Sequence, residues 1–229
     1  MAPTSDRNFR RHGMNQDPTH GSTGSSLNHL LSKAGLKLLD ANTIAKFDDY
    51  LALILRWNAR MNLTAIRDAE GILSRHFVES IACAQLLPQG IGSLLDFGTG
   101  AGFPGIPIAV CRPDITITLA ESQSRKAAFL HEAVRVLGLN TDIFANRAEN
   151  LGKQFDGVTL RAVDRMEQAV AAATSLIRVG GWLVVLTTAT ELPCVQRSAG
   201  EGFQWLDLHN LSGSDQQVLA FASKISSAA

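Results

Sequence analysis

Residues 92–105 have the sequence Gly-Ser-Leu-Leu-Asp-Phe-Gly-Thr-Gly-Ala-Gly-Phe-Pro-Gly, an apolar run that ends in Asp96 and continues directly into a glycine-rich loop. Apolar runs of this kind are typical of buried strands in parallel sheets. Gly98, Gly100 and Gly102 have no side chain, so the backbone can turn sharply and a ligand can approach the main chain closely. The stretch therefore predicts a strand, a ligand-binding loop and the start of a helix.

Two classes of cofactor are bound by a strand, a glycine loop and a helix. Residues 100–105 satisfy the dinucleotide fingerprint Gly-x-Gly-x-x-Gly, in which the helix N-terminus faces a pyrophosphate. Residues 96–102 match Asp-x-Gly-x-Gly-x-Gly, the first motif of S-adenosylmethionine (SAM)-dependent methyltransferases. Pro104 and Pro107 favour the methyltransferase, because proline has no N–H to offer a pyrophosphate. A tight turn without any ligand is the third alternative.

A second acidic residue, Glu121, follows the next predicted strand. It lies 23 residues after Gly98, close to the spacing of about 20 at which a carboxylate accepts hydrogen bonds from a ribose. Both cofactor classes use that contact, so Glu121 supports adenosine binding without separating them. Its structural alternative is an acidic residue that stabilises the start of the following helix.

Beyond the glycine loop, strand and helix patterns alternate, which predicts an α/β fold with a mostly parallel, doubly wound sheet. The strands are expected near 93–97, 115–120, 141–145, 156–160 and 182–187, and the helices near 105–111, 123–138 and 164–178. Gly180-Gly181 is predicted to end the last of these helices, and residues 205–209 and 218–222 are predicted to form a closing hairpin.

The chain divides into three predicted regions. Residues 1–26 have almost no large apolar side chains and are expected to form a disordered tail. Residues 27–90 are predicted to form an N-terminal helical cap, with helices near 43–60 and 70–87 whose apolar residues recur every three or four positions. Residues 91–229 are predicted to form a Rossmann-like domain.

Ligands of such sheets bind beyond the carboxyl ends of the strands. Five residues fall at or just after predicted strand ends and are expected to meet in one crevice: Asp96, Glu121, Ala148, Glu149 and Arg161. His76 is interpreted as a packing residue at a helix start and is placed outside the site.

Composition excludes several classes of protein. The three cysteines are widely spaced and the six histidines have no metal-ligand spacing, so neither a disulfide framework nor a metal site is expected. No run of about 18 apolar residues and no secretory signal is present. We therefore expect a cytoplasmic protein without metal or membrane association, and we take it to be a monomer. The 21 basic and 21 acidic residues balance, which permits RNA binding through a local patch without indicating it.

Six segments of the chain, in unbroken order, carry a specific resemblance: Arg56–Thr64 (RWNARMNLT), Arg75–Ser80 (RHFVES), Asp96–Pro107, Glu121–Lys126 (ESQSRK), Arg147–Glu149 (RAE) and Arg161–Ala162 (RA). They resemble the ribosomal RNA small-subunit methyltransferase G family, also called glucose-inhibited division protein B. The resemblance implies a Rossmann-like class I methyltransferase that uses SAM to methylate N7 of a guanine in small-subunit (16S) ribosomal RNA. It also implies cofactor contacts at Gly98, Phe103, Ala148, Glu149 and Arg161.

The chain departs from the family pattern at a few positions. Thr187 and Thr188 stand where a lysine and a glycine are usual, Gln216-Gln217 replaces a basic pair, and Glu79 stands in place of an aspartate. Two other functions are kept as alternatives, namely a non-catalytic ribosome-associated module that retains the cofactor fold and an NAD-dependent oxidoreductase. The Arg161 guanidinium is expected to face RNA or Glu149, and a structural ion pair with another carboxylate is the alternative.

Overall fold

The structure, a computed structural model, describes residues 20–206, 208–211 and 216–225. Within these residues, eight strands form a single sheet: β1 (Ser93–Phe97), β2 (Thr116–Ala120), β3 (Thr141–Phe144), β4 (Phe155–Arg161), β5 (Ile177–Thr188), β6 (Phe203–Trp205), β7 (His209–Asn210) and β8 (Gln217–Lys224). The α-helices are α1 (His20–Lys33), α2 (Ala41–Asn58), α3 (Ala69–Gly71), α4 (Val78–Leu86), α5 (Gly105–Cys111), α6 (Ser124–Leu137), α7 (Met166–Ser175) and α8 (Leu192–Ala199).

The strand order is β3-β2-β1-β4-β5-β8-β6, with β7 paired to β8. Strands β1 to β5 are parallel, whereas β8 is antiparallel to both β5 and β6. The order of the parallel strands reverses between β1 and β4, and this switch point opens a crevice at their carboxyl ends. The predicted Rossmann-like α/β fold is confirmed, and the predicted closing hairpin corresponds to β8 with β6 and β7.

Helices cover both faces of the sheet, and the pleat of β1 illustrates why. Leu94 points into a core shared with the cap helices, α5 and α6, while Leu95 points into a second core beneath α7 and α8. Both side chains are fully buried. Successive residues of a strand face opposite sides, so the continuous apolar run of β1 is what a central strand covered on both faces requires.

The N-terminal helix begins earlier than predicted. Residues 1–26 are predicted to be a disordered tail, but α1 starts at His20, and residues 1–19 lie outside the described residues. Leu27 and Leu31 are buried in the core that the cap shares with the sheet. A Cβ at Gly24 would lie 2.5 Å from Ile44 Cγ2. The absence of a side chain at Gly24 therefore permits close packing of α1 on α2.

The helix predicted over 70–87 is not one regular helix. After α3, residues Ile72–Phe77 form a π-helical turn, in which the N–H of Val78 bonds to the carbonyl of Leu73, and α4 then follows. Ile72 and Phe77 are fully buried, as the apolar pattern predicted. The π turn was missed because it inserts an extra residue without changing which side chains are apolar, and such turns are frequent at functional sites.

The predicted turn at Gly180-Gly181 lies inside a strand. Strand β5 begins at Ile177, and its pairing with β4 shifts register between Phe155 and Gly157. Gly180 has φ +76°, and a Cβ at Gly181 would lie 2.9 Å from the Asp156 carbonyl oxygen. The two glycines therefore accommodate an irregularity in a long strand rather than ending a helix.

Candidate cofactor site

A cleft of about 660 Å³ lies at the carboxyl ends of β1, β2 and β4. Of the residues predicted for the site, seven line this cleft: Gly98, Gly100, Phe103, Glu121, Ala148, Glu149 and Arg161. Ala148 and Glu149 begin a short 3-10 turn after β3, with Ala148 buried and Glu149 exposed. The topology thus brings together residues that are more than 60 positions apart in sequence.

Glu121 forms the floor of the cleft beside the glycine loop. Its two carboxylate oxygens accept hydrogen bonds from the backbone N–H groups of Gly100, at 3.1 Å, and Gln123, at 2.7 Å. The residue is only 6% exposed yet lines the cleft. Each carboxylate oxygen can accept more than one hydrogen bond, so the carboxylate is held in place and retains acceptor capacity for a ligand hydroxyl.

The positions of the loop require glycine for different structural reasons. Gly100 has φ +60°, and a Cβ there would have nothing closer than the Gly98 carbonyl oxygen at 4.0 Å. A Cβ at Gly102 would lie 2.5 Å from Ile106 Cδ1, and one at Gly105 would lie 2.6 Å from Asp96 Oδ2. Gly102 and Gly105 are therefore required by internal packing, whereas Gly100 leaves bare main chain facing open space.

Asp96 does not line the cleft, contrary to the prediction that it contacts the cofactor. Its fully buried carboxylate accepts hydrogen bonds from the Gly105 N–H at 2.8 Å, from Thr159 Oγ1 at 3.0 Å and from Thr99 Oγ1. Burial raises the pKa of Asp96 to about 6, against the lowering effect of these hydrogen bonds. Asp96 thus ties the glycine loop and the start of α5 to β4 from beneath.

The cap supports the same loop from the other side. Tyr50, fully buried on α2, donates a hydrogen bond to the carbonyl oxygen of Ala101 at 2.5 Å. Its ring packs against Phe77 and Phe103, with centroid separations of 5.4 and 5.5 Å. The main-chain path around Gly100 is therefore fixed by side chains from both the sheet and the cap.

Arg161 faces the cap rather than Glu149. Its Nη2 donates to Glu79 Oε2 at 2.6 Å and to the Arg75 carbonyl oxygen at 2.9 Å, and it lies 2.9 Å from His76 Nδ1. Burial lowers the pKa of Arg161, and the neighbouring Glu79 opposes that shift. The expected pairing with Glu149 is wrong, and the structural ion pair is formed with Glu79.

His76 belongs to the cleft, although the sequence interpretation placed it outside. Its Nε2 lies 2.9 Å from Thr64 Oγ1, and its ring lies 4.7 Å from that of Phe103. Arg161 can only donate, so Nδ1 is an acceptor that shares the two Nη2 hydrogens with Glu79 and Arg75, and the neutral ring carries its proton on Nε2. Burial and the nearby arginines lower the pKa of His76 to about 3. The π turn is what places this neutral ring in the wall.

The remaining cap wall is the loop Leu63–Ala65, which lines the cleft. Asn58 Oδ1 accepts hydrogen bonds from the N–H groups of Leu63, at 3.1 Å, and Thr64, at 3.0 Å. Three cationic residues from other elements also line the cleft, Lys126, Arg147 and Arg165, together with the acidic Glu149 and Asp164. The cleft is therefore bounded by a hydrogen-bonded cap loop and by side chains of both charges.

The residues that line the cleft fit an adenosyl cofactor. Bare main chain at Gly100 permits close approach, the anchored carboxylate of Glu121 suits a ribose diol, and Ala148 gives a small apolar surface. Among the described residues, no group of three or more His, Cys, Asp or Glu side chains is placed to hold a metal ion. In the same part of the chain, no helix has the length and apolar character needed to cross a membrane.

One departure from the family pattern has a structural role. Thr187, at the end of β5, is 4% exposed and its Oγ1 donates to Glu191 Oε2 at 2.9 Å. Glu191 directly precedes α8. The threonine therefore connects the sheet to the start of this helix, far from the glycine loop in sequence.

Comparison with known proteins agrees with this geometry. The model of the family described as rRNA small subunit methyltransferase G matches residues 43–201. A ribosomal RNA small subunit methyltransferase G of Stenotrophomonas maltophilia (strain K279a) is 40% identical over 176 residues, which cover 76% of this chain and 81% of the relative. One of Roseiflexus sp. (strain RS-1) is 42% identical over 154 residues, which cover 64% of this chain and 65% of the relative.

A solved structure shows the same fold at low sequence identity. The SAM-dependent O-methyltransferase of Thermotoga maritima has a TM-score of 0.55 at 14% identity, over 77% of this chain and 72% of that one. The resemblance predicted from the sequence segments is confirmed by the family match, which spans more than half of the 229 residues. The chain belongs to the rRNA small subunit methyltransferase G family.

Proposed function

We propose that this protein uses SAM to methylate N7 of a guanine in small-subunit ribosomal RNA. The observation that carries the proposal is the open main chain at Gly100 beside the anchored carboxylate of Glu121. Gly98, Phe103, Ala148, Glu149 and Arg161 complete the proposed cofactor contacts, since all of them line the same cleft. Family membership supports the RNA substrate, because the relatives are named as ribosomal RNA methyltransferases.

The chemistry requires little from acid–base groups. Bound SAM supplies an electrophilic methyl group on a sulfonium, and N7 of guanine already has a free lone pair. The protein therefore has to orient the two reactants, which can contribute up to about 7 to 11 kcal/mol in well-aligned cases. Two titratable groups close to the loop fit this account, since Asp96 is buried beneath it and His76 is hydrogen-bonded to Arg161 and Thr64.

Three cationic residues of the cleft could contact an RNA substrate. Arg147 and Arg165 are exposed there and Lys126 is half-buried, so they can contact phosphates although the net charge of the chain is zero. A cytoplasmic location follows from a ribosomal substrate. We retain a monomer without a bound metal as part of the proposal, and size-exclusion chromatography with metal analysis tests both points.

The test is incubation of the purified full chain with methyl-labelled SAM and small-subunit RNA from cells that lack the gene. We expect label in the RNA at N7 of one guanine, located by cleavage at 7-methylguanosine. Label on another base atom would overturn the N7 assignment. Absence of label, with the cofactor still bound, would favour the non-catalytic module, for which Gln216-Gln217 in place of a basic pair is the motivating feature.

A further inference from the structure

Arg161 places a cation in a cleft that, under the proposed function, binds a cationic cofactor. The inference drawn from this rests on the proposed function. Arg161 lines the cleft with a side chain that is 12% exposed. A sulfonium is a cation, and two cations in a partly dehydrated cleft repel each other more strongly than they would in water. A cofactor site that contains a bare guanidinium would therefore discriminate against SAM.

Glu79 pairs with Arg161 from a position outside the lining of the cleft. Its carboxylate lies 2.6 Å from Arg161 Nη2, and its side chain is only 5% exposed. Burial raises the pKa of Glu79, whereas Arg161 and Arg75 act in the opposite direction. Arg75 lies further away, at 3.8 Å, and is 53% exposed, so water screens much of its charge.

His76 completes the arrangement with a neutral acceptor. Arg161 Nη2 lies 2.9 Å from Nδ1, while Nε2 is held by Thr64. A protonated imidazole would place a second N–H, and a second positive charge, against the guanidinium. The neutral ring therefore fixes the orientation of Arg161 without adding charge to the wall.

We propose that Glu79 neutralises Arg161 so that this wall accepts the sulfonium of SAM, with His76 as the neutral positioning residue that orients the guanidinium. The pair thereby sets the preference of the site between the cationic cofactor SAM and its product S-adenosylhomocysteine, which is uncharged at sulfur. Glu79 is a positioning residue in this account, because it acts through Arg161 and does not itself line the cleft.

The test is calorimetric titration of the full chain with SAM and with S-adenosylhomocysteine at pH 8. In Glu79→Gln, we expect the affinity for SAM to fall roughly tenfold more than the affinity for S-adenosylhomocysteine. Only SAM carries a positive charge at sulfur, which the unpaired Arg161 guanidinium would repel. A purely structural role for Glu79 would weaken both ligands by the same factor. Equal weakening, or no change, would overturn the proposal.

Two further variants keep the test decisive if Glu79→Gln folds poorly. Arg161→Gln leaves the carboxylate alone, so the preference should shift towards SAM, and an unchanged preference would overturn the proposal. The double variant Glu79→Gln/Arg161→Gln removes both charges and should restore the wild-type preference within about threefold. A double variant that keeps the preference of a single variant would equally contradict it.

A remote ion pair provides the matched control. Asp156 pairs with Arg178 at the opposite end of β4, where its carboxylate accepts hydrogen bonds from the N–H groups of Gly92 and Ser93. Asp156→Asn makes the same chemical change as Glu79→Gln and should leave the ligand preference unaltered. If the wild-type chain bound neither ligand, the proposed function itself would fail, whereas binding of both with no effect of Glu79 would reject this inference alone.

Discussion

Substitution of Gly100 separates the binding function of the glycine loop from its folding function. Gly100 has φ +60°, so an L side chain costs about 1–2 kcal/mol in backbone strain. A Cβ there contacts nothing within 4 Å except the Gly98 carbonyl oxygen, at 4.0 Å. In a chain of this size that strain lowers the melting temperature by roughly 2–8 °C. We therefore expect Gly100→Val to fold and to lose measurable binding of S-adenosylhomocysteine.

Gly105 is the opposite case and serves as the control. Its φ is not in the left-handed region, but a Cβ would overlap Leu119 and lie 2.6 Å from Asp96 Oδ2. Both neighbours are fully buried, so relief requires movement of the core, at a cost near or above the upper end of the roughly 1–3 kcal/mol typical of overpacking. We expect Gly105→Val to lose stability far more than Gly100→Val does.

The assay combines thermal unfolding with calorimetric titration of S-adenosylhomocysteine. We predict that Gly100→Val folds but does not bind the ligand, and that Gly105→Val is severely destabilised. Unchanged affinity in Gly100→Val would mean that the cofactor does not approach this main chain. Equal loss of stability in the two variants would mean that the open space at Gly100 does not exist in solution.

Three further changes test other parts of the site. Glu121→Gln should weaken S-adenosylhomocysteine binding about 10- to 100-fold in calorimetry, because charge-assisted hydrogen bonds contribute about 1.5–3 kcal/mol; unaltered binding would remove Glu121 from the ribose contact. Asp96→Asn should lower the free energy of unfolding at pH 7 by roughly 1–3 kcal/mol, since an amide has only one acceptor oxygen whereas both carboxylate oxygens of Asp96 accept hydrogen bonds, and an unchanged urea midpoint would contradict the role of Asp96 in the loop. His76 has a pKa of about 3 in the fold against 6.5 ordinarily, so the unfolded chain binds more protons between these values and the His76 contribution to stability falls as pH drops from 6.5 towards 3. His76→Asn can keep an acceptor for Arg161 and should remove that pH dependence, which urea unfolding at pH 5 and pH 7 measures. A loss of unfolding free energy between pH 7 and pH 5 as large as that of the wild type would refute it.

The parallel sheet and its crevice could be predicted because local sequence determines them. The apolar run at 93–97, the glycine loop and the acidic residue at 121 each specify strand, turn and strand end from neighbouring residues. The position of Glu121 beside Gly100 then follows from parallel pairing, since Asp96 pairs with Leu119 in register. Topology does the rest, because the carboxyl ends of parallel strands share one edge.

The cap wall could not be predicted from the same patterns. Its contacts depend on a π turn, which leaves the apolar spacing of Ile72, Phe77 and Ile81 intact and alters only where His76 and Glu79 point. The partner of Arg161 lies 82 positions away in sequence, and no local pattern encodes such a pair. The orientation of Asp96 could not be predicted for a related reason. The same local sequence is compatible with a strand-end carboxylate that faces the ligand and with one that faces the loop.

The most direct measurement is a crystal structure of the full chain with S-adenosylhomocysteine. We predict that the ribose hydroxyls bind the carboxylate of Glu121, that the ligand lies against the main chain of Gly100, and that the Arg161–Glu79 ion pair remains intact. A ligand bound elsewhere, or a Glu121 carboxylate that contacts only protein N–H groups, would contradict this prediction.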